Sequence, residues 1–208
     1  SSGLPVRSRT IVLSKYAVLL TIGLGLLVLM GLAGIGRQLI SGYTHVQPGL
    51  YVTYLLIPGM FAFAFWSAIA LALQLVVNNK YIGFGLFVVL FAVNSMIWGF
   101  LKVSSNLVLL FGAPRMMYSD LNGFGPFLLP WLFFRTYWMA FAACLLFIAA
   151  LVAVRGGEDM WTWRLRIAGV RWRRAWRIGT LAFGAWFILL AFGFYNTRVL
   201  NEPVTEQD

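Results

Sequence analysis

Between Leu55 and Val77 the chain carries 23 consecutive residues without a charged side chain. A helix of about 20 apolar residues crosses the roughly 30 Å hydrocarbon of a bilayer. Comparable runs cover about 16–40, 81–101, 131–154 and 178–195, and the second run is expected to extend over about 50–77. Lipid cannot hydrogen-bond a backbone amide, so only helices and closed barrels span it. Barrel strands alternate apolar and polar residues, and these runs do not. Composition agrees: 61% of residues are hydrophobic and 11% charged, against about 45–50% and 25% in soluble domains. The expected fold is an all-α integral membrane protein with about five transmembrane helices.

The pieces between the runs carry the topology. The first run holds glycines at 23, 25, 31, 34 and 36, a smooth surface for close helix packing. Pro58 and Gly59 are expected to mark an entry turn or a kink in the second run. Asn78, Asn79 and Lys80 form a very short polar hinge. The segment 102–129 contains Gly112, Pro114, Gly123, Gly125 and Pro126, so no single helix covers it. Half of it is apolar, which predicts short helices lying in the interface. Residues 155–177 read as a basic loop with seven arginines interleaved with Trp161, Trp163, Trp172 and Trp176. Beside a span this pattern suits an amphipathic segment at an anionic leaflet.

Five crossings place the N-terminus, the 78–80 hinge and the 155–177 loop on one side. That side carries eleven Lys and Arg residues, and the other carries five. Basic residues concentrate in cytoplasmic loops, which predicts a cytoplasmic N-terminus and an extracytoplasmic C-terminus. The same rule accounts for the net charge of +10 without invoking nucleic acid. Ser1-Ser2-Gly3 lacks the layout of a secretory signal and there is no initiating Met. The chain is expected to be a piece of a longer protein.

Signals of catalysis are sparse. The chain has one His and one Cys, and no HExxH, CxxC or Walker-type loop. A zinc site needs three or four clustered ligands, and His45 reads as an exposed loop residue. Cys144 sits in an apolar run. Gly83 and Gly85 match part of a dinucleotide fingerprint, but they open a span and read as packing glycines. The expectation is no catalytic, metal or cofactor residue in this chain.

The stretch Tyr118-Ser119-Asp120-Leu121-Asn122-Gly123-Phe124-Gly125 combines a carboxylate, an amide and two glycines near the membrane surface. Asp120 and Asn122 suit a helix cap or an Asx-turn, with substrate contact as the lesser alternative. Arg135 lies near the end of the fourth run, where a charge snorkels or pairs. An Asp120–Arg135 pair is expected. Asn94 and Gln74, inside spans, are expected to hydrogen-bond between helices.

Two sets of residues carry a family resemblance. The entry Leu4-Pro5-Val6-Arg7-Ser8-Arg9, with Leu13-Ser14-Lys15-Tyr16 after it, resembles the "LPVSR…LLGK" entry of ABC type 2 exporter permeases. Three further stretches resemble a bacterial subfamily of these permeases fused to an aminopeptidase N-type zinc metallopeptidase. They are Val77-Asn78-Asn79-Lys80-Tyr81 with Gly83, the 118–125 stretch, and the exit Phe194-Tyr195-Asn196-Thr197-Arg198-Val199-Leu200-Asn201-Glu202.

The resemblance implies that residues 1–154 are the later spans of a six-span permease half in the bacterial inner membrane. Residues 155–177 would be a cytoplasmic loop, 178–195 an added span, and 196–208 the start of an extracytoplasmic linker. ATP would bind a separate ATPase subunit, and zinc a peptidase domain beyond Asp208. The remaining spans of the permease would be further partners. Leu4, Pro5, Arg7, Arg9, Asn78, Asn79 and Lys80 would couple to the ATPase. Tyr118, Asp120, Asn122, Gly123, Gly125 and Arg135 would form an outer-surface motif. The alternative is a membrane anchor of the aminopeptidase with no transport of its own.

Overall fold

A computed structural model describes residues 8–43, 45–77, 79–100, 106–114, 127–153 and 161–196. The elements run α1 (Ser8–Ile40), α2 (Pro48–Tyr51), a π-helical segment (Val52–Leu56), α3 (Ile57–Val77), α4 (Lys80–Phe100), α5 (Leu128–Val152) and α6 (Trp161–Tyr195). No strand occurs among the described residues. Thr10–Ile40, Pro48–Val77, Leu128–Val152 and Thr162–Tyr195 are long and apolar enough to cross a membrane, and Lys80–Met96 is a shorter apolar helix. The all-α membrane fold follows, with four or five crossings.

α3 is the central helix and packs against α1, α4 and α5, while α6 packs on the far side of α5. Side-chain register gives the directions. Gly23 meets Phe63, Gly59 meets Leu27, Gly31 meets Leu55 and Gly34 meets Tyr51, so α1 and α3 are antiparallel. Phe61 touches Trp131 and Phe65 touches Trp138, so α3 and α5 run the same way. Tyr137 stacks on Trp186, and Phe147 touches Trp172, so α6 runs against α5. The starts of α1, α4 and α6 therefore share one end of the bundle with the finishes of α3 and α5. This is the basic end. The core between the ends is aromatic: Phe65 (0% exposed), Tyr137 and Trp138 pack with Ala68, Ile69 and Ala142. Leu29, Val89, Leu181 and Ile188 point outward with more than half of their surface open. In a membrane that surface faces lipid.

The glycines of the first run divide by face. Gly23 and Gly34 admit an aromatic ring from a neighbouring helix, whereas a Cβ on Gly25 or Gly36 would meet nothing within 4 Å. Tyr16 crosses the same seam, its hydroxyl donating to the Ala64 carbonyl at 2.9 Å.

One local expectation takes a definite form and two change. Pro58 ends no helix, because the turn before it widens: the Ile57 N–H bonds to the Val52 carbonyl, five residues back. A proline crowds the carbonyl four residues earlier, and the π-helical turn makes room for it. Residues 106–114 form successive turns and no helix; the remainder of the expected interfacial segment, through 126, lies outside the described residues. The expected basic loop is helical from Trp161 onward and continuous with the last span. No proline interrupts Trp161–Tyr195. At 35 residues and 1.5 Å each, α6 is roughly 52 Å long, well beyond the hydrocarbon alone.

The α3–α4 seam gives a sharp contrast. A Cβ on Gly83 would lie 3.0 Å from the Gln74 Cα, which is backbone and cannot give way, whereas one on Gly85 would meet open space. Gly83→Val should therefore cost about 1–3 kcal/mol by overpacking, and Gly85→Val should stay within about 0.5 kcal/mol. Thermal unfolding of the two variants in micelles, followed by helical circular dichroism, checks this.

Candidate functional site

The polar chemistry lies at the two ends of the bundle. At the basic end the last carbonyls of α3 and α5 have no partner within their own helices. Two arginines of α6 supply one. Arg164 Nη1 donates to the Val76 carbonyl at 2.6 Å and Nη2 to the Leu75 carbonyl at 2.9 Å. Arg171 Nη1 donates to the Leu151 carbonyl at 2.9 Å, with Ala150 and Ala153 carbonyls also in reach. The two are seven residues apart, two turns along one face. Ala175 (2% exposed) and the buried Gly179 continue that face inward. Arg164 is itself only 2% exposed. A buried guanidinium is tolerated there because it sits on carbonyl dipoles at the negative end of α3. Arg166, Arg173, Arg174 and Arg177 of the same helix face outward.

Two of the coupling candidates, Asn79 and Lys80, fall at the same end of the bundle as this clamp. Asn79 caps α4: its Oδ1 accepts from the Tyr81 N–H at 3.0 Å and the Ile82 N–H at 3.3 Å. Lys80 lies over the neighbouring Tyr81 ring, 4.9 Å from its centre. The α3–α4 joint is thus held on both sides, by Arg164 on the end of α3 and by Asn79 on the start of α4. Arg9 lies in the first turns of α1. Leu4, Pro5, Arg7 and Asn78 lie outside the described residues.

At the other end the 106–114 turns tuck against α4 and α5. Non-helical backbone at this depth requires partners for its carbonyls, and side chains provide them. Trp138 Nε1 donates to the Gly112 carbonyl at 3.1 Å and the Asn106 carbonyl at 3.3 Å. Arg135 Nη1 donates to the Phe111 carbonyl at 3.0 Å. Longer contacts of 3.4 Å join Asn94 to Leu110 and Tyr137 to Leu107. Asn94 therefore bonds to the turn segment and not to a side chain of a neighbouring helix.

Phe111 is the hub of these turns. Its φ of 60° is left-handed, which costs a non-glycine residue about 1–2 kcal/mol. Its ring is held between Phe65, stacked at 4.9 Å, and the Arg135 guanidinium, 3.7 Å from the ring centre. Trp131 lies 5.1 Å from the same guanidinium.

Arg135 is thus engaged by a carbonyl and two rings. Its expected partner Asp120 lies outside the described residues, as do Tyr118, Asn122, Gly123 and Gly125. His45 is exposed, and no cluster of three or more His, Cys, Asp or Glu occurs among the described residues. Sequence reasoning missed Arg164 and Arg171 as caps. The signal was present in their spacing of seven from each other and their continuation in Ala175 and Gly179. No protein-family model, curated protein or solved structure matches the chain.

Two expectations follow. A hydrogen bond from a charged donor contributes about 1.5–3 kcal/mol, and a lysine lacks the fork that serves two carbonyls. Arg164→Lys should lower stability by about 2 kcal/mol while Arg166→Lys, on the exposed face, changes it by less than about 0.5 kcal/mol; thermal unfolding compares them. At Phe111, both Ala and Gly lose the ring contacts, but only Gly relieves the left-handed backbone. Phe111→Gly should be the more stable of the two by about 1 kcal/mol, the reverse of the usual helix order, in the same assay.

Proposed function

We propose that this chain is the transmembrane permease part of an ATP-driven ABC exporter in a bacterial inner membrane. It would couple to a separate ATPase subunit and lead into an extracytoplasmic aminopeptidase domain. The basic end would be cytoplasmic. The observation that best supports this reading is the arginine clamp. Arg164 and Arg171 join the ends of α3, α5 and α6 through hydrogen bonds to their last main-chain carbonyls. α1 starts at the same end of the bundle. A push delivered by an ATPase near residues 4–9 would then act beside a tied set of helix ends, where separate helices would absorb it individually. A ligand-driven change needs contacts that differ between two states. The residues at 4–9, together with Asn79 and Lys80, are the candidates for those contacts. The resemblance of the 4–16 entry to exporter permeases points the same way.

Single cysteines at positions 4–9, paired with cysteines on the ATPase, should crosslink with a yield that changes between nucleotide-free and ATP-bound states. Crosslinks absent in every nucleotide state would rule the coupling role out. The anchor alternative predicts a different result: peptidase activity in the whole protein with no ATP-dependent transport at all.

A further inference from the structure

A cleft of about 460 Å³ opens at the end of the bundle opposite the clamp. It lies between the last turns of α1, the connector that follows, α2 and the π-helical segment. Its volume is in the range of small-ligand sites. Gln38, Tyr43, His45, Gln47, Tyr51 and Tyr54 line it, with leucines completing the wall. One feature is not explained by packing alone. The Gln38 Oε1 is buried and has no hydrogen-bond partner, a condition that costs free energy unless something fills it.

The chemistry of the wall selects a ligand class. Amides, phenols and an imidazole each offer both a donor and an acceptor. Among the described residues, no Lys, Arg, Asp or Glu lines the cleft. A phosphate would call for a cation in the wall, and an organic ammonium for a carboxylate. A neutral ligand with many hydroxyls matches the donors and acceptors of this wall. The tyrosines add ring faces. Tyr43 and Tyr54 are 53% and 40% exposed, and the negative face of an aromatic ring attracts the C–H face of a saturated ring. Tyr51 is held in place: a Cβ on Gly34 would lie 3.0 Å from its ring, so only a glycine lets the ring sit this close to α1.

We propose that this cleft binds a neutral polyhydroxylated ring, a saccharide unit either free or carried as the head of a lipid. The site does not depend on coupling to an ATPase, and its failure would leave the transport reading untouched. The test uses the full chain in nanodiscs of phosphatidylcholine, free of sugar detergents. Saturation-transfer NMR is recorded with methyl β-glucoside, and in parallel with glucosyl-diacylglycerol built into the disc. Tetramethylammonium and methyl phosphate, both with observable methyl protons, serve as counter-probes. The expected result is transfer to the sugar ring protons from at least one of the two sources, weakened roughly fivefold or more by Tyr54→Ala or Gln38→Leu. Which source gives the signal tells whether the sugar arrives free or on lipid. Tyr54→Phe, which keeps the ring, should retain part of the signal. Helical circular dichroism of each variant confirms that the fold is kept. Absence of transfer from both sugars overturns the proposal. So does a signal equal in the folded variants, or one larger for either counter-probe.

Discussion

A backbone carbonyl in hydrocarbon has no water to bond, and most of this structure answers that one constraint. Within each helix the answer is automatic. At helix ends and in the 106–114 turns it is not, and there the chain uses its few polar side chains. Arg164 and Arg171 serve the ends of α3 and α5. Arg135, Trp138 and Asn94 serve the turns. Each of these side chains donates to a main-chain carbonyl. In a low-dielectric setting that arrangement also settles the arginines, whose charge rests on carbonyl dipoles.

The clamp changes what α6 is. A basic stretch beside a span reads as a surface segment, and its outward arginines fit that description. The inward pair makes the same stretch an integral part of the bundle, bonded to helices that it reaches across 88 and 18 residues of chain. One helix thus carries two populations of arginine with different jobs, separated by face and not by position along the chain. The opposite end is organised differently. There a strained phenylalanine, stacked between a fully buried ring and a guanidinium, fixes irregular backbone onto α5. Side-chain packing on that scale offsets a left-handed φ of about 1–2 kcal/mol.

Much of the fold was legible in hydrophobic run length. Runs that cannot be strands and cannot be hidden in water leave spanning helices as the one solution. The positions of α3, α4 and α5 follow from that within a few residues. Packing was legible only in outline: the glycine-rich first run signalled close approach, but not that Gly23 would face α3 and Gly34 α2 while Gly25 and Gly36 faced away. Pro58 pointed to a disturbed turn, and the disturbance appears just before it as a π-helical segment. The candidate sites were less legible. Asn79 is a helix cap, a role its place between two runs allows. The cleft around Gln38 combines residues from α1, the connector, α2 and the π-helical segment, none of which is distinctive alone.

The sequence by itself determined the class of solvent, the helical state of the chain and which segments share an end of the bundle. These depend on the length, polarity and order of runs, which are properties of consecutive residues. Tertiary structure alone decided which arginines turn inward, which glycines admit a neighbour and how the 106–114 carbonyls are satisfied. Those outcomes depend on which face of each helix meets which partner. Rotation of a helix about its axis is fixed by contacts between residues distant in the chain, so local polarity does not encode it.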